Sequence, residues 1–260
     1  MCIPIGKQFT SSISPTMSSC IALIPARAGS KRIDQKNVKQ LAGRPLLAYT
    51  IAAAKASGVF SRIIVSTDSE DIAAIAKQSG AEVPWLRPAE FAQDTSPDIG
   101  WVKHALQNLG GDAPDAFALL RPTSPFRQAS TIQRAWQQFT ALQGVDSIRA
   151  VELCRQHPAK MWQVSGEGAA ARMQPVMPNP DASATPWHST PYQALPKVYA
   201  QNASLEMAWC RVPLEQGTIA GQMIAPFFTE GYEGFDINSL EDWVVAEYLI
   251  QQRLVTLPAL

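Results

Sequence analysis

At 260 residues the chain is long enough for one large domain with its own core, and 46% hydrophobic against 17% charged residues excludes wholesale disorder. Lys plus Arg number 22 and Asp plus Glu number 22, and a formal charge of zero argues against a general nucleic-acid binder, which carries a basic excess. No apolar run approaches the roughly 18 to 20 residues of a membrane span, so neither nucleic acid nor a membrane is an expected partner.

The first nineteen residues, rich in Ser and Thr with two prolines, read as a disordered leader (1–19), with Met17 an alternative start. From there the elements alternate. "CIALIPA" is a short apolar run ending in a turn signal, hence a buried strand. "PLLAYTIAAAKASG" predicts a helix, with Pro45 suited to its first turn and Gly58 to its C-terminal cap. "RIIVST" predicts a second strand, and "DSEDIAAIAKQSG" a helix that starts on capping residues and stops at Gly80. "DIGWVKHALQNLG" (helix), "AFALLRP" (strand), "ASTIQRAWQQFTALQG" (helix) and "DSIRAVEL" (strand) continue the alternation. The stretch 155–200 is dense in proline and lacks helical periodicity, which predicts a loop-rich or hairpin-like excursion. "ASLEMAWCRV" then alternates like a strand. "SLEDWVVAEYLIQQRL" predicts a final amphipathic helix capped by Ser239 and Asp242.

Strand and helix alternating through short connections indicates βαβ units on a mainly parallel sheet, which binds ligands at the carboxyl ends of its strands. That rule gathers residues 25–37, 66–69 and 121–127 at one rim. The first of these, "PARAGSKRIDQKN", combines small residues that let backbone N–H groups approach an anion with Arg27, Lys31 and Lys36. A polyphosphate suits that set, although neither a Walker A loop nor a G-x-G-x-x-G fingerprint is present. The alternative is a solvated basic loop. Cys2, Cys20, Cys154 and Cys210 form no C-x-x-C pair, and His104, His157 and His188 show no ligand spacing. Reduced thiols in a cytoplasmic protein are therefore expected, not a zinc site.

The stretches "IALIPARAGSKRIDQKNVKQLAGRPLLAYTI", "RIIVSTDSEDIAAIAKQSGAEVPWLRPAEFAQDTS", "LLRPTSPFR" and "GFDINSLEDWVVAE", in that order from about residue 20 to 250, resemble the acylneuraminate cytidylyltransferases, the CMP-sialic acid synthetases. The resemblance implies a three-layer α/β nucleotidyltransferase fold, similar to nucleotide-diphospho-sugar transferases, with a mainly parallel central sheet. One cytidylyltransferase domain would span 20–255, with 155–200 a dimerisation or substrate excursion. It implies transfer of CMP from CTP to the anomeric hydroxyl of a nonulosonic acid, release of pyrophosphate, Mg2+ as cofactor, and a homodimer. By the same resemblance Ala26, Arg27, Gly29, Ser30, Lys31, Lys36, Asn37 and Ser96 bind the nucleotide, and Arg27, Lys31 and Asp236 act in catalysis. Arg121, Thr123, Tyr192, Asn202 and Glu206 face the sugar, and Asp236 and Asn238 hold the metal. Simpler readings stand beside these: Ser66 to Asp68 as strand end and helix cap, Ser96 as an N-cap, and Asp236 to Asn238 as a turn before the last helix.

The chain departs from the family pattern in four places. Arg121 replaces a glutamine before "PTSP", and Tyr192 stands where an arginine facing the sugar is common. Asp236-Ile237-Asn238 replaces a D-I-D pair, leaving one carboxylate where two would suit Mg2+. "NASLE" replaces "NGA", adding Ser204 and Glu206 on one strand face. These changes point from N-acetylneuraminate toward a legionaminic or pseudaminic type of acid. The same reaction on Kdo, or a catalytically weak CTP- or CMP-sugar-binding regulator, are the alternatives. Asn238 favours the regulator, and the retained cations oppose it.

Overall fold

The computed structural model describes residues 18–110, 114–181 and 183–259, so the leader reading lies outside the described residues except at Ser18 and Ser19. β1 (Cys20–Pro25) runs between β4 (Arg62–Ser66) and β5 (Ala116–Leu119), parallel to both. β1 is apolar along its whole length because both of its faces are covered. Ala22 and Ile24 enter one core, and Ile21 and Leu23 enter another. Burying each large aliphatic side chain of this kind contributes about 1.5–3 kcal/mol.

The first core lies under α1 (Leu46–Ser57) and α4 (Ala129–Ala141), with Leu47, Ile51, Ile132 and Phe139 at its centre. α1 buries ten of its twelve residues, so it is apolar nearly all round, and it ends at Gly58 with φ 65°. α2 (Glu70–Gln78) starts where Ser69 accepts the Ile72 N–H, with Glu70 and Asp71 favourable in its first turn. The second core forms under α3 (Asp98–Asn108), around Trp101, Leu106 and Phe117.

The six-stranded sheet has the order β10-β6-β9-β5-β1-β4. β6 (Ser147–Leu153) pairs parallel with β10 (Ile224–Phe228), while β9 (Tyr199–Trp209) runs antiparallel between β5 and β6. The sheet is therefore mostly parallel, and its one reversed strand has a consequence for the site. An antiparallel strand brings its beginning to the rim where the parallel strands end, so Glu206 pairs with both Leu119 and Arg149. β10 escapes the sequence reading because Pro226 sits within it. Proline is tolerated there because β10 is an edge strand.

Two further pairs lie outside this sheet: β2 (Gln40–Leu41) with β3 (Arg44–Pro45), and the excursion hairpin of β7 (Trp162–Ser165) with β8 (Arg172–Pro175). α5 (Leu240–Gln251) has the expected Ser239/Asp242 capping box, but it is not cleanly amphipathic. It buries Trp243, Ala246 and Leu249 against Ile33, Leu41 and Tyr49, yet leaves Leu240, Val244, Val245 and Tyr248 exposed.

Candidate active site

The loop leaving β1 is tied down at both ends. Ala26 N–H donates to Ser66 O at 2.9 Å, and Ala28 N–H donates to Asp68 Oδ1 at 2.9 Å. Asn37 is buried and its Nδ2 donates to Arg27 O at 3.0 Å, closing the loop on itself. Ser66 and Asp68 thus brace the site from the end of β4. An added Cβ at Gly29 would meet no atom within 4 Å, so the fold itself does not demand glycine there.

This loop forms one wall of a cleft of about 490 Å3, into which Arg27, Ser30, Lys31, Lys36 and Asn37 all reach. Arg32 lines it too. Ala26 is fully buried behind them, and its N–H is taken by Ser66 O, so it does not line the cleft. On the opposite wall Asp94 receives Arg27 Nη1 at 2.6 Å and also pairs with Lys31. Hydrogen bonds from Lys31 and then Arg27 hold the Asp94 carboxyl below its usual range. Lys36 Nζ donates to Ile237 O at 3.0 Å. Burial pushes its ammonium below the ordinary lysine value, and Asp236 opposes that shift.

Ser96 lines the cleft and donates its hydroxyl to Glu90 O at 2.7 Å. It does not cap α3, whose N-cap position is Pro97 with no side-chain bond. Thr123, expected on the sugar side, lines this same cleft, and its carbonyl accepts Ile237 N–H at 2.9 Å.

A second pocket of about 500 Å3 adjoins the first, and the two share Arg121 and Asn238. Asn202, Glu206 and Asp236 line it, together with Glu152 and Arg155. Asn238 Nδ2 donates to Asp236 Oδ2 at 2.6 Å, while Asp236 Oδ1 is buried with no hydrogen-bond partner. Of the expected site residues, Ala26, Gly29 and Tyr192 line neither pocket. The Tyr192 hydroxyl donates to Cys154 O, and its ring stands edge-on to His157 at 5.7 Å. Its ring and hydroxyl are thus engaged at the start of the excursion.

The floor between the pockets is an ionic chain. Arg121 Nη2 lies 2.5 Å from Asp98 Oδ2 and 3.4 Å from Glu206 Oε1, and Glu206 also pairs with Arg149. Burial raises the Asp98 carboxyl, but Arg121 and the Trp101 indole N–H (2.8 Å) bring it below the usual range. Beneath the chain Arg127 is fully buried with no carboxylate partner among the described residues, and burial pushes it down to about 9. It donates to Thr50 Oγ1 at 3.0 Å and to the carbonyls of Arg121 and Ser204, which fixes the 121–127 turn.

Sequence reasoning missed Arg87, Asp94 and Asp98. Arg87 is buried over the Trp101 ring at 4.8 Å, bonds Ser66 through Nε and Nη2, and is lowered by burial to about 10. No local spacing marked it; only the fold turns a lone arginine before Pro88 toward the cleft. Asp94 carried a faint signal, being two residues before Ser96.

The sequence profile of the cytidylyltransferase family matches residues 21–210. CMP-N,N'-diacetyllegionaminic acid synthase of Legionella pneumophila is 34% identical over 235 residues, covering 89% of this chain and 96% of that protein. N-acylneuraminate cytidylyltransferase of Escherichia coli is 45% identical over 131 residues, which is 50% of this chain and 30% of that longer protein. Among solved structures, CMP:2-keto-3-deoxy-manno-octonic acid synthetase complexed with CTP superposes with a TM-score of 0.67 at 12% identity. That likeness spans 91% of this chain and 100% of the other, and it speaks to the fold.

Proposed function

This chain belongs to the cytidylyltransferase family, and from that premise we propose that it transfers CMP from CTP to the anomeric hydroxyl of a nonulosonic acid, giving a CMP-sugar and pyrophosphate. The observation that carries the reading is the pair of polar pockets meeting at Arg121 and Asn238, one walled by a cationic loop and the other by strand-end polar groups. Two substrates bound side by side need such an arrangement, because holding reactants in contact removes much of the entropic barrier.

In this reading Arg27, Lys31 and Lys36 hold the triphosphate, and Ser96 and Asn37 border the nucleoside. Arg suits paired phosphate oxygens and Lys a point charge. The acceptor hydroxyl attacks the α-phosphorus in line, and pyrophosphate leaves toward the basic loop. The protein contributes positioning and charge neutralisation. Asp236 and Asn238 would hold a Mg2+ ion, which favours oxygen ligands, since Asp236 Oδ1, beside the amide, is buried and has no hydrogen-bond partner among the described residues. When bound, that ion would offset charge on the phosphates.

The Legionella relative and the departures at Arg121, Glu206 and Asn238 favour an acid of the legionaminic or pseudaminic type. The protein acts as a homodimer in the cytoplasm, where CTP is available. Exposed Met161, Trp162, Val164 and Met173 on the excursion hairpin support self-association there. The test is pyrophosphate release from CTP and Mg2+ across N-acetylneuraminic, legionaminic, pseudaminic and Kdo acids. Turnover with a nonulosonic acid is expected. Turnover with Kdo alone, or CTP binding without turnover on any acid, would replace this reading.

A further inference from the structure

An acceptor that carries a carboxylate needs a cation to receive it, and the acceptor pocket has two arginines, Arg121 and Arg155. Resting on the acceptor reading above, we propose that Arg155, not Arg121, holds the carboxylate of the sugar acid. Arg121 is already committed. Its guanidinium faces Asp98 at 2.5 Å and Glu206 at 3.4 Å, and its side chain is only 28% exposed. A third carboxylate at that place would be repelled by two fixed ones. Arg121 therefore serves as a directional donor in the pocket floor, its guanidinium already engaged by Asp98 and Glu206.

Arg155 is placed differently. It follows the carboxyl end of β6, at the rim where ligands of such sheets bind. Among the described residues its ion-pair partner is Glu152, with Nε 3.9 Å from Oε1, and its side chain is 74% exposed. That separation is too long for a hydrogen bond, and an exposed pair of this kind is weak. The guanidinium therefore loses little in turning to a ligand, and it can meet a carboxylate through two parallel N–H groups.

Gly234 shapes the same corner. A Cβ there would come within 2.4 Å of Glu152 Oε2 and 2.4 Å of Asn202 Nδ2, so the missing side chain lets both groups lean over the pocket. Glu152 and Asn202 thus stand beside Arg155 at the mouth, with Asn202 Nδ2 donating to Thr229 Oγ1 at 2.9 Å. The pocket's other two acids are engaged elsewhere. Asp242 closes the α5 cap, and Asp236 pairs with Asn238.

The experiment compares wild type, Arg155→Gln and Arg155→Lys, with KM for CTP and for the sugar acid measured separately. The C1 methyl ester of the same sugar is run in parallel. Loss of a charge-assisted contact predicts a KM for the acid about tenfold or more higher in Arg155→Gln, with KM for CTP within about twofold and an intermediate value for Arg155→Lys. Wild type should prefer acid over ester by a similar factor, and Arg155→Gln should lose that preference. An Arg155→Gln enzyme that keeps the wild-type acid preference, or a CTP KM that rises in step with the acid KM, overturns the assignment. Equal use of acid and ester by the wild type overturns it too. Failure of the wild type to use any acid overturns the acceptor reading itself, a result distinct from these.

Discussion

The cations of the pocket proposed for the nucleotide come chiefly from one loop, residues 26–37, whose two ends are joined by a hydrogen bond from Asn37 to the Arg27 carbonyl. The acceptor pocket has no such single source. It takes Arg121 from just after β5, Glu152 and Arg155 from the end of β6 and the loop after it, Asn202 and Glu206 from β9, and Asp236, Asn238 and Asp242 from around the start of α5. The two pockets also hold charge differently. On the nucleotide side Lys31 is 81% exposed and meets a surface aspartate, so its charge can be transferred to an incoming phosphate. On the acceptor side Glu206 is 6% exposed and locked between two arginines. A contiguous loop gives a pocket whose groups can be changed one at a time, whereas a pocket gathered from four segments changes as a network.

That contrast can be broken in several ways. The largest effect is expected from Lys31→Ala, which should cut kcat/KM for CTP by about tenfold to a hundredfold, the worth of a lost charge-assisted contact. Its far-UV circular dichroism and Tm should remain those of the wild type, because the side chain stands in solvent. Normal turnover in this variant would remove the phosphate role of the loop. Arg121→Gln should do the opposite and disturb stability as well as the acceptor KM. It leaves Asp98 and Glu206 short of a partner, at a cost of about 1–3 kcal/mol, or roughly 2–12 °C in Tm. An unchanged melting curve would show that the ionic chain is not a network.

Asn238→Asp restores a second carboxylate beside Asp236, and the Mg2+ concentration for half-maximal rate should fall about tenfold. A metal titration that does not move would count against metal contact at that position. Asp94→Asn tests whether the nucleotide cations are restrained by a competitor. With Arg27 and Lys31 released, KM for CTP should fall about threefold, as expected of a partly exposed pair. A rise would mean that Asp94 orients the cations more than it competes for them.

The smallest effect concerns pH. Lys36 has a lowered pKa in the folded protein, so it loses its proton before an exposed lysine does. Between that point and the ordinary lysine value the unfolded chain binds more protons, so stability rises with pH while phosphate binding weakens. KM for CTP should therefore climb in this alkaline window, and Lys36→Arg should move the climb to higher pH. An identical profile in both proteins would detach Lys36 from the triphosphate.

The same division between a contiguous loop and gathered segments explains what could be read from the chain. The central strand, α1 with its glycine stop, and the Ser239/Asp242 cap were legible because their signals are local: an apolar run, a positive-φ glycine, a capping pair. The small basic loop after β1 was legible for the same reason. Arg87, Asp98 and Arg155 were not, since each is a lone charged residue whose neighbours in space lie elsewhere in sequence. Tyr192 shows the reverse case: the motif resemblance set it on the sugar side, while in the fold its hydroxyl donates to the Cys154 carbonyl.

By itself the sequence determined the alternation of elements, the small basic loop after the first strand, and the family to which those motifs belong. It did so because hydrophobic period, turn chemistry and cap residues act over a few positions. Tertiary structure decided which charges neutralise one another. The reversed strand β9 sets Glu206 between Arg121 and Arg149, and the turn braced by Arg127 carries Arg121 to Asp98. Coulomb and desolvation energies depend on distance and burial, not on sequence separation, so that pairing emerges only when the strands lie side by side.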